Sequence, residues 1–327
     1  MTAPLRIVAL SGGVGGARFM RGLLAWGAAT GTPLDVTVIA NTGDDMRLHG
    51  LQVCPDLDTL MYTLGGAIHE GQGWGREDER FTVAEELRPY GVGWEWFTLG
   101  DRDLATHLAR TSLLATGLSL SEATARLAAR WDLPVTLVPM SDQPVETHVE
   151  LASGETVHFE EWWVRTRAAA PARRFVQVGV DDAAPAPGAL AAIAAADLVL
   201  LPPSNPVVSV GTILGVPGLA DALRACAAPL VGVSPIISGA AVRGMAEACL
   251  AAVGVAATAA DVALDYRARH GLLDGWLVDD ADAGSLPRLA AAGIAAEARP
   301  LWMTDAEATA AIAGAAVELG RLLSSPR

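Results

Sequence analysis

The chain has 327 residues, 51% hydrophobic and 18% charged, with 37 acidic against 23 basic residues and a net charge of -14. Average soluble chains carry about 25% charged residues, so this composition predicts a large buried core and excludes intrinsic disorder. Every basic residue is arginine, which excludes a P-loop lysine and a lysine Schiff base, while the acidic balance argues against general nucleic-acid binding.

Leu5 to Leu10 reads as a short apolar strand and Ser11-Gly-Gly-Val-Gly-Gly16 as a loop. Met20, Leu23, Leu24 and Gly27 then recur at helical spacing. Strand, glycine loop and helix make the first unit of a parallel α/β fold. Val36 to Ala40 is a second strand, ending in Asn41-Thr-Gly-Asp-Asp45. A helix is expected from Asp58, as its N-cap, to Gly65-Gly66. His69 to Gly75 reads as a mobile loop. Gly100-Asp-Arg-Asp103 opens a helix with Leu104, Leu108, Thr111 and Ala115 on one face and Gly117 as its stop. Ser119 and Glu122 fit a capping box for a helix presenting Thr124, Leu127, Ala128 and Trp131. Val135 to Val138 is a third strand. Thr147 to Leu151 and Thr156 to Phe159 alternate around Ala152-Ser-Gly-Glu155, a β-hairpin out of place in a parallel sheet. With Glu160 to Val180 it marks a small inserted subdomain. The α/β pattern resumes with strands at Asp197 to Leu201, Leu230 to Val233 and Trp276 to Val278, and with alanine-rich helical stretches around 189–196 and 246–263.

Cys54, Cys226 and Cys249 lack metal-ligand spacing and read as small buried hydrophobes of a reducing compartment. The run Ile7 to Leu10 is too short for a signal peptide. No apolar stretch reaches the roughly 20 residues of a membrane helix. The expectation is a cytoplasmic protein that engages neither membrane nor nucleic acid, and the apolar composition makes a homodimer plausible.

Ligands of parallel α/β sheets bind beyond the carboxyl ends of the strands. Gly12 to Gly16, Asn41 to Asp45, Ser204-Asn205 and Ser234-Pro235 are expected to converge there. The glycine loop fits a phosphate on helix N–H groups. It is an incomplete dinucleotide fingerprint: Arg18 stands where the third glycine belongs, and the ribose-binding acid is missing. Arg18 reads either as a bidentate phosphate contact or as a solvent-facing residue of a tight turn. Asp44 and Asp45, with Asp56 and Asp58 close behind, suit Mg²⁺ beside a phosphate; helix capping by Asp58 and turn closure by Asp44 remain equally open. Asp101 and Asp103 complement a helix dipole, Arg102 is placed to clamp an anion, and His107 and His49 read as packed or solvent-facing. Trp74, Trp94, Trp96, Trp131, Trp162 and Trp163 offer stacking surface for a flat heteroaromatic ligand, with core packing as the commoner use.

Six segments occur in order: Ser11-Gly-Gly-Val-Gly-Gly-Ala-Arg18, Asn41-Thr-Gly-Asp-Asp45, Pro55-Asp-Leu-Asp-Thr59, Gly100-Asp-Arg-Asp-Leu-Ala-Thr-His107, Pro203-Ser-Asn-Pro206 and Ser234-Pro-Ile-Ile237. Together, from Leu5 to about Ala311, they resemble the 2-phospho-L-lactate transferase (CofD-like) family, and more closely its actinobacterial phosphoenolpyruvate transferase branch. The resemblance implies a Rossmann-like, mostly parallel α/β core over about 1–142 and 181–327, and an inserted α+β subdomain over about 143–180, in a single domain. It implies transfer of phosphoenolpyruvate, or 2-phospho-L-lactate, from a guanosine diphosphate-activated donor to the ribityl hydroxyl of the deazaflavin Fo, with release of GMP, in coenzyme F420 biosynthesis. By the same resemblance Asp44 and Asp58 hold Mg²⁺, and Asp58 also contacts the deazaflavin. Gly12, Gly13, Gly15, Gly16 and Arg18 face the diphosphate; Ser204, Asn205 and Ser234 line the guanosine end. Asn41 shares the rim, Thr98 stands where some archaeal members carry lysine, and Arg102 follows in that motif. The implied reaction is in-line substitution at phosphorus, with Arg18 on the leaving GMP and Asp58 or Asp45 accepting the hydroxyl proton.

Two rivals of other classes stand beside this. One is a non-catalytic regulatory nucleotide-sugar-binding protein on the same scaffold, which the paired Pro55 and Gly100 motifs disfavour. The other is a dinucleotide-dependent oxidoreductase, disfavoured by Arg18 and the missing acid.

Overall fold

The computed structural model describes residues 3–93 and 96–324. Its centre is a seven-stranded sheet in which every neighbouring pair is parallel. Strand β1 (Leu5–Ser11) lies inside it, with five consecutive residues from Ile7 buried. Such a run fits a strand covered on both faces, as parallel sheets require. The chain adds β2 (Leu34–Ala40) and then Thr136–Pro139 on one side of β1. It crosses to the other side for Leu198–Leu201, Leu230–Val233, Gly275–Val278 and Ala295–Ala298. The winding therefore reverses between β1 and Leu198–Leu201, the crevice where α/β sheets bind ligands.

Hydrophobic layers cover both faces. One includes Val8, Leu10, Val199, Leu201 and Trp276; the other includes Ile7, Ala9, Leu198, Leu200 and Leu277. This alternation is the period-2 consequence of strand geometry. Helix α1 (Gly13–Thr30) buries Phe19, Met20, Leu23 and Trp26 and ends at the left-handed Gly31. A long helix, Ala306–Ser324, packs along it; a Cβ on Gly314 would stand 2.5 Å from the Trp26 ring. No single helix among the described residues is long and apolar enough to cross a membrane.

Residues 146–178 form a three-stranded antiparallel sheet in the order Thr156–His158, Glu146–Leu151, Ala172–Val178. Its apolar side, with Val149, Phe159 and Trp162, forms a cluster of its own with Val208 and Cys249. The Thr147 N–H donates to the Gly43 carbonyl at 2.6 Å, so this sheet is seated on the segment that follows β2.

Three sequence expectations need correction. Helix α2 (Pro55–Leu64) starts with Pro55 behind Cys54, so Asp58 sits inside its first turn and is not the N-cap. After a short helix α3 (Thr82–Leu87), helix α4 (Asp101–Ala115) buries Thr106, His107 and Arg110; Leu108 and Ala115 of the expected face are exposed. That helix meets polar partners, which overrides its apolar periodicity. The stretch 246–263 breaks into Ala246–Ala252 and Ala259–Asp265 around the left-handed Gly254, with Thr258 capping the second piece. The hairpin β3 (Met46–Leu48) and β4 (Leu51–Val53), α3, the edge strand Ala295–Ala298 and the helix Ala306–Ser324 were not anticipated.

Candidate active site

All seven parallel strands present their carboxyl ends to one rim, where the glycine loop turns β1 into α1. Gly13 takes φ +66, and its N–H donates to Asp56 Oδ1 at 2.7 Å. The next N–H groups of the first turn have no partner within the helix. Ser204 closes the crevice from the other strand: its Oγ accepts from the Gly12 N–H at 3.1 Å and donates to the Gly12 carbonyl at 2.8 Å. A Cβ on Gly15 would lie 2.5 Å from the Pro203 carbonyl oxygen, so helix and switch loop touch backbone to backbone.

Acidic side chains crowd this rim. Asp44, Asp45, Asp56 and Glu160 are each more than nine-tenths buried. Asn41 links two of them, donating from Nδ2 to Asp56 Oδ2 at 2.9 Å and Asp44 Oδ2 at 3.3 Å. Asp44 Oδ1 and Asp45 Oδ1 have no hydrogen-bond partner. Burial, then repulsion from Asp56, Glu160 and Asp45, pushes the Asp44 carboxyl well above the usual range. Burial does the same to Asp45 against the opposing pull of Cys54 and Arg110. Burial raises Asp56 to about 6, although Asn41 and the Gly13 N–H hold it down, and raises Glu160 to about 8 with help from Asp56. Orphaned buried oxygens in a cluster of carboxylates are a donor set that fits a hard divalent cation.

A second polar cluster lies beneath α4. Arg110 donates to both carboxylate oxygens of Asp58, with Nη1 to Oδ2 at 3.0 Å. His107 Nδ1 is 3.5 Å from Asp58, and its Nε2 is 3.4 Å from Asp103 Oδ1. The Tyr62 hydroxyl donates to Asp103 at 2.8 Å. Burial opposes ionisation of Asp103, but His107 and Tyr62 outweigh it and hold this carboxyl below its ordinary value. Asp58, Asp103 and His107 are the one close group of three metal-capable side chains among the described residues. Arg110 already satisfies the Asp58 carboxylate there.

Two further features border the rim. The 69–75 loop folds toward α1: Arg18 donates to the Glu70 carbonyl at 3.3 Å, and Arg243 donates to the Gln72 carbonyl. Arg243 also lies over the Trp74 ring at 5.5 Å. Burial, then the charge of Arg18, lowers Arg243 from its ordinary value, and a Cβ built on Gly73 would meet both Arg243 Nη1 and the Val14 side chain of the glycine loop. Neither Arg18 nor Arg243 forms a salt bridge among the described residues. On the other side, beyond β3 and β4, a cleft of about 470 Å³ is walled by His49, Val83, Leu87, Phe97, Thr98 and Leu99.

The family model "2-phospho-L-lactate transferase CofD" matches residues 7–318. The chain belongs to the CofD family. It is 59% identical to a phosphoenolpyruvate transferase of Kitasatospora aureofaciens, over 96% of this chain and 98% of that protein. It is 58% identical to one of Thermobifida fusca and 48% identical to one of Mycolicibacterium smegmatis, each with the same coverage of 96% and 98%. Among solved structures, a UPF0052-family protein of Bacillus halodurans aligns with a TM-score of 0.66 at 17% identity, over 97% of this chain and 100% of that one, a likeness of fold. The CofD-family chain is thus a transferase-family enzyme on a Rossmann-like parallel sheet.

The CofD rim joins Gly12, Gly13, Asn41, Asp44, Asp56 and Ser204 through the bonds above. Gly15 and Gly16 pack against the switch loop, and Arg18 stands one turn into α1. Asp58 departs from the expected pairing with Asp44: it is ion-paired to Arg110, and Asp56 takes the place beside Asp44. Asn205 uses its Oδ1 to accept from the Val207 and Val208 N–H groups, and Ser234 Oγ bonds within its own turn to Ile236. Both side chains serve their turns. Thr98 is on the cleft wall, whereas Arg102 turns to the Glu77 carbonyl and Asp78. Trp131 is sandwiched by Arg76 and Arg130, Trp162 is core, Trp74 is exposed beneath Arg243, and Trp94 lies outside the described residues. Sequence reading missed Asp56 as a cap of α1, together with Glu160, Arg110 and Arg243. Only Asp56 had a motif to flag it.

Proposed function

We propose that this enzyme transfers the phosphoenolpyruvyl group, or its 2-phospho-L-lactyl counterpart, from a guanosine diphosphate-activated donor to the ribityl hydroxyl of the deazaflavin Fo, releasing GMP in the cytoplasm. The observation that carries this reading is the sharing of one rim by an anion site and a buried carboxylate cluster beside an apolar cleft. The relatives at 48–59% identity, themselves named phosphoenolpyruvate transferases, supply the transferred group.

In this reading the donor diphosphate lies on the N–H groups of α1, with Arg18 and Arg243 neutralising its outer oxygens. The deazaflavin ring occupies the cleft walled by Phe97, Thr98 and Leu99, where flat apolar surface favours stacking. The ribityl oxygen attacks the phosphorus that bears the three-carbon acid. The bond from that phosphorus to the bridging oxygen breaks, and GMP leaves with the electron pair. Asp45 accepts the hydroxyl proton: burial raises its proton affinity, and its Oδ1 is otherwise unpartnered, whereas both Asp58 oxygens are held by Arg110. Asp44 and Asp56 are the residues that would hold Mg²⁺, which when bound neutralises diphosphate charge.

The test is incubation of the protein with Mg²⁺, Fo and each donor in turn, with mass spectrometry of the products. A phospho-acid adduct of Fo together with GMP, from one donor and only with Mg²⁺, is the expected result and identifies the donor. Absence of product from both donors, with Fo failing to bind, would favour the regulatory nucleotide-binding alternative.

A further inference from the structure

The Asn41 to Asp45 turn is closed from within by two bonds. Asn41 Oδ1 accepts the Gly43 N–H at 2.9 Å, and the Thr42 carbonyl accepts the Asp45 N–H at 3.2 Å. The Gly43 and Asp45 carbonyls meet the antiparallel sheet instead. The first accepts the Thr147 N–H at 2.6 Å, and the second lies 3.2 Å from His158 Nε2. A Cβ on Gly43 would stand 2.6 Å from both Thr147 Oγ1 and Thr212 Cγ2, so the turn is closely enclosed there.

These contacts fix the proton of the His158 ring. The Asp45 carbonyl can only accept, so Nε2 carries hydrogen. Nδ1 accepts the Glu160 N–H at 3.2 Å, so it carries none. The neutral Nε2–H tautomer alone satisfies both partners, and a charged ring would set two donors face to face. Burial holds this ring below the ordinary histidine range, helped by His148 and opposed by the Asp45 carbonyl, Glu146 and Glu161. His148 stands opposite His158 in the sheet register, with ring centroids 5.6 Å apart, but its Nε2 is 3.1 Å from Glu146. The first imidazole is thus spent on its own strand, and the second on the turn.

We propose that His158 is a positioning residue for the transfer reaction: its Nε2–H holds the Asp45 main chain, and with it the carboxyl that takes the ribityl proton. This role rests on the transferase reading and on Asp45 as its base. A general base must come within about 2.6–3.2 Å of the proton it removes, so the placement of the Asp45 backbone sets whether Oδ1 can act. A misplacement of about 1 Å can cost about 10²-fold in rate. The antiparallel sheet then has a task in catalysis, carried by a side chain 113 residues from the base it aims.

The first test is the ¹⁵N resonance of the histidine imidazoles at neutral pH, with the His158 signals identified by their absence from His158→Gln. A neutral ring with hydrogen on Nε2 is expected; hydrogen on Nδ1, or a charged ring, would overturn the proposal. The second is steady-state transfer by His158→Phe, which keeps a ring without a donor, and by His158→Gln, whose amide can still donate to the Asp45 carbonyl. His158→Phe should lower kcat about 10–100-fold with KM for donor and Fo little changed, and His158→Gln should regain most of that loss. Should His158→Phe fail to fold, His158→Leu is read in the same way. A wild-type kcat without the donor, an equal loss in both variants, or a change in KM alone would overturn the proposal. The Nε2–H tautomer in a wild type that makes no transfer product would reject the transferase reading, and the catalytic role with it, while leaving the His158 to Asp45 bond established.

Discussion

Asp56 and Asp58 stand two residues apart in the first turn of α2, and the fold sends them to opposite electrostatic environments. Asp56 meets the N–H of Gly13 and the amide of Asn41; Asp58 meets Arg110. Removing Arg110 would strand a buried carboxylate, so Arg110→Ala should destabilise the protein by about 3–5 kcal/mol in denaturant unfolding. Asp45→Asn should lower the transfer rate by about 10²–10⁴-fold while Fo binding, read by deazaflavin fluorescence, persists. A full rate in that variant would remove Asp45 as the base. The carboxylate pairs were visible in the sequence as motifs, and the structure buries Asp44 at the rim as an acceptor of the Asn41 amide. Which acid of Asp56 and Asp58 sits beside Asp44 was not visible, because Arg110 decides it from 52 residues away. Arg243 was equally hidden: it reaches Gln72 across 171 residues, and no spacing rule spans that distance.

The elements were legible wherever their signals are local. The Ser119 to Glu122 capping box forms with both reciprocal bonds, and the apolar runs at β1, Leu198–Leu201 and Leu230–Val233 became buried strands. Helix α4 misled because its buried face is a polar network. That network gives a pH prediction. The Asp103 carboxyl is held below its ordinary value, so its contribution to stability is complete above the unfolded carboxylate range, near about 4, and is lost as pH falls through the folded value. Acid unfolding of Asp103→Asn should therefore show a shallower loss of stability on the acid side than wild type. The α1 turn gives a steric prediction. A Cβ on Gly16 would stand 2.2 Å from Ser11 Oγ and 2.5 Å from Ser204 Oγ, so Gly16→Ala must displace both hydroxyls, including the Ser204 bonds to Gly12. That variant should weaken donor binding more than Fo binding in equilibrium titrations.

At the scale of the molecule, one topological fact organises the rest: the winding reverses beside β1, and the glycine loop, Asn41, Asp56 and Ser204 are joined by hydrogen bonds at the rim above that reversal. The order of motifs along the chain was enough to anticipate this rim. The docking of the antiparallel sheet onto it, and the acid that sheet carries, depends on tertiary contacts that periodicity does not encode. Uncompensated negative charge at the rim predicts that millimolar Mg²⁺ raises the unfolding temperature by mass action, whereas the same ionic strength of NaCl does not. The central claim is substitution at phosphorus on this rim, and ³¹P resonance of the running reaction tests it most directly. The account predicts Mg²⁺-dependent loss of the donor diphosphate signals with equal gain of GMP and of a new phosphodiester. Release of GDP would instead place the bond cleavage at carbon and contradict it.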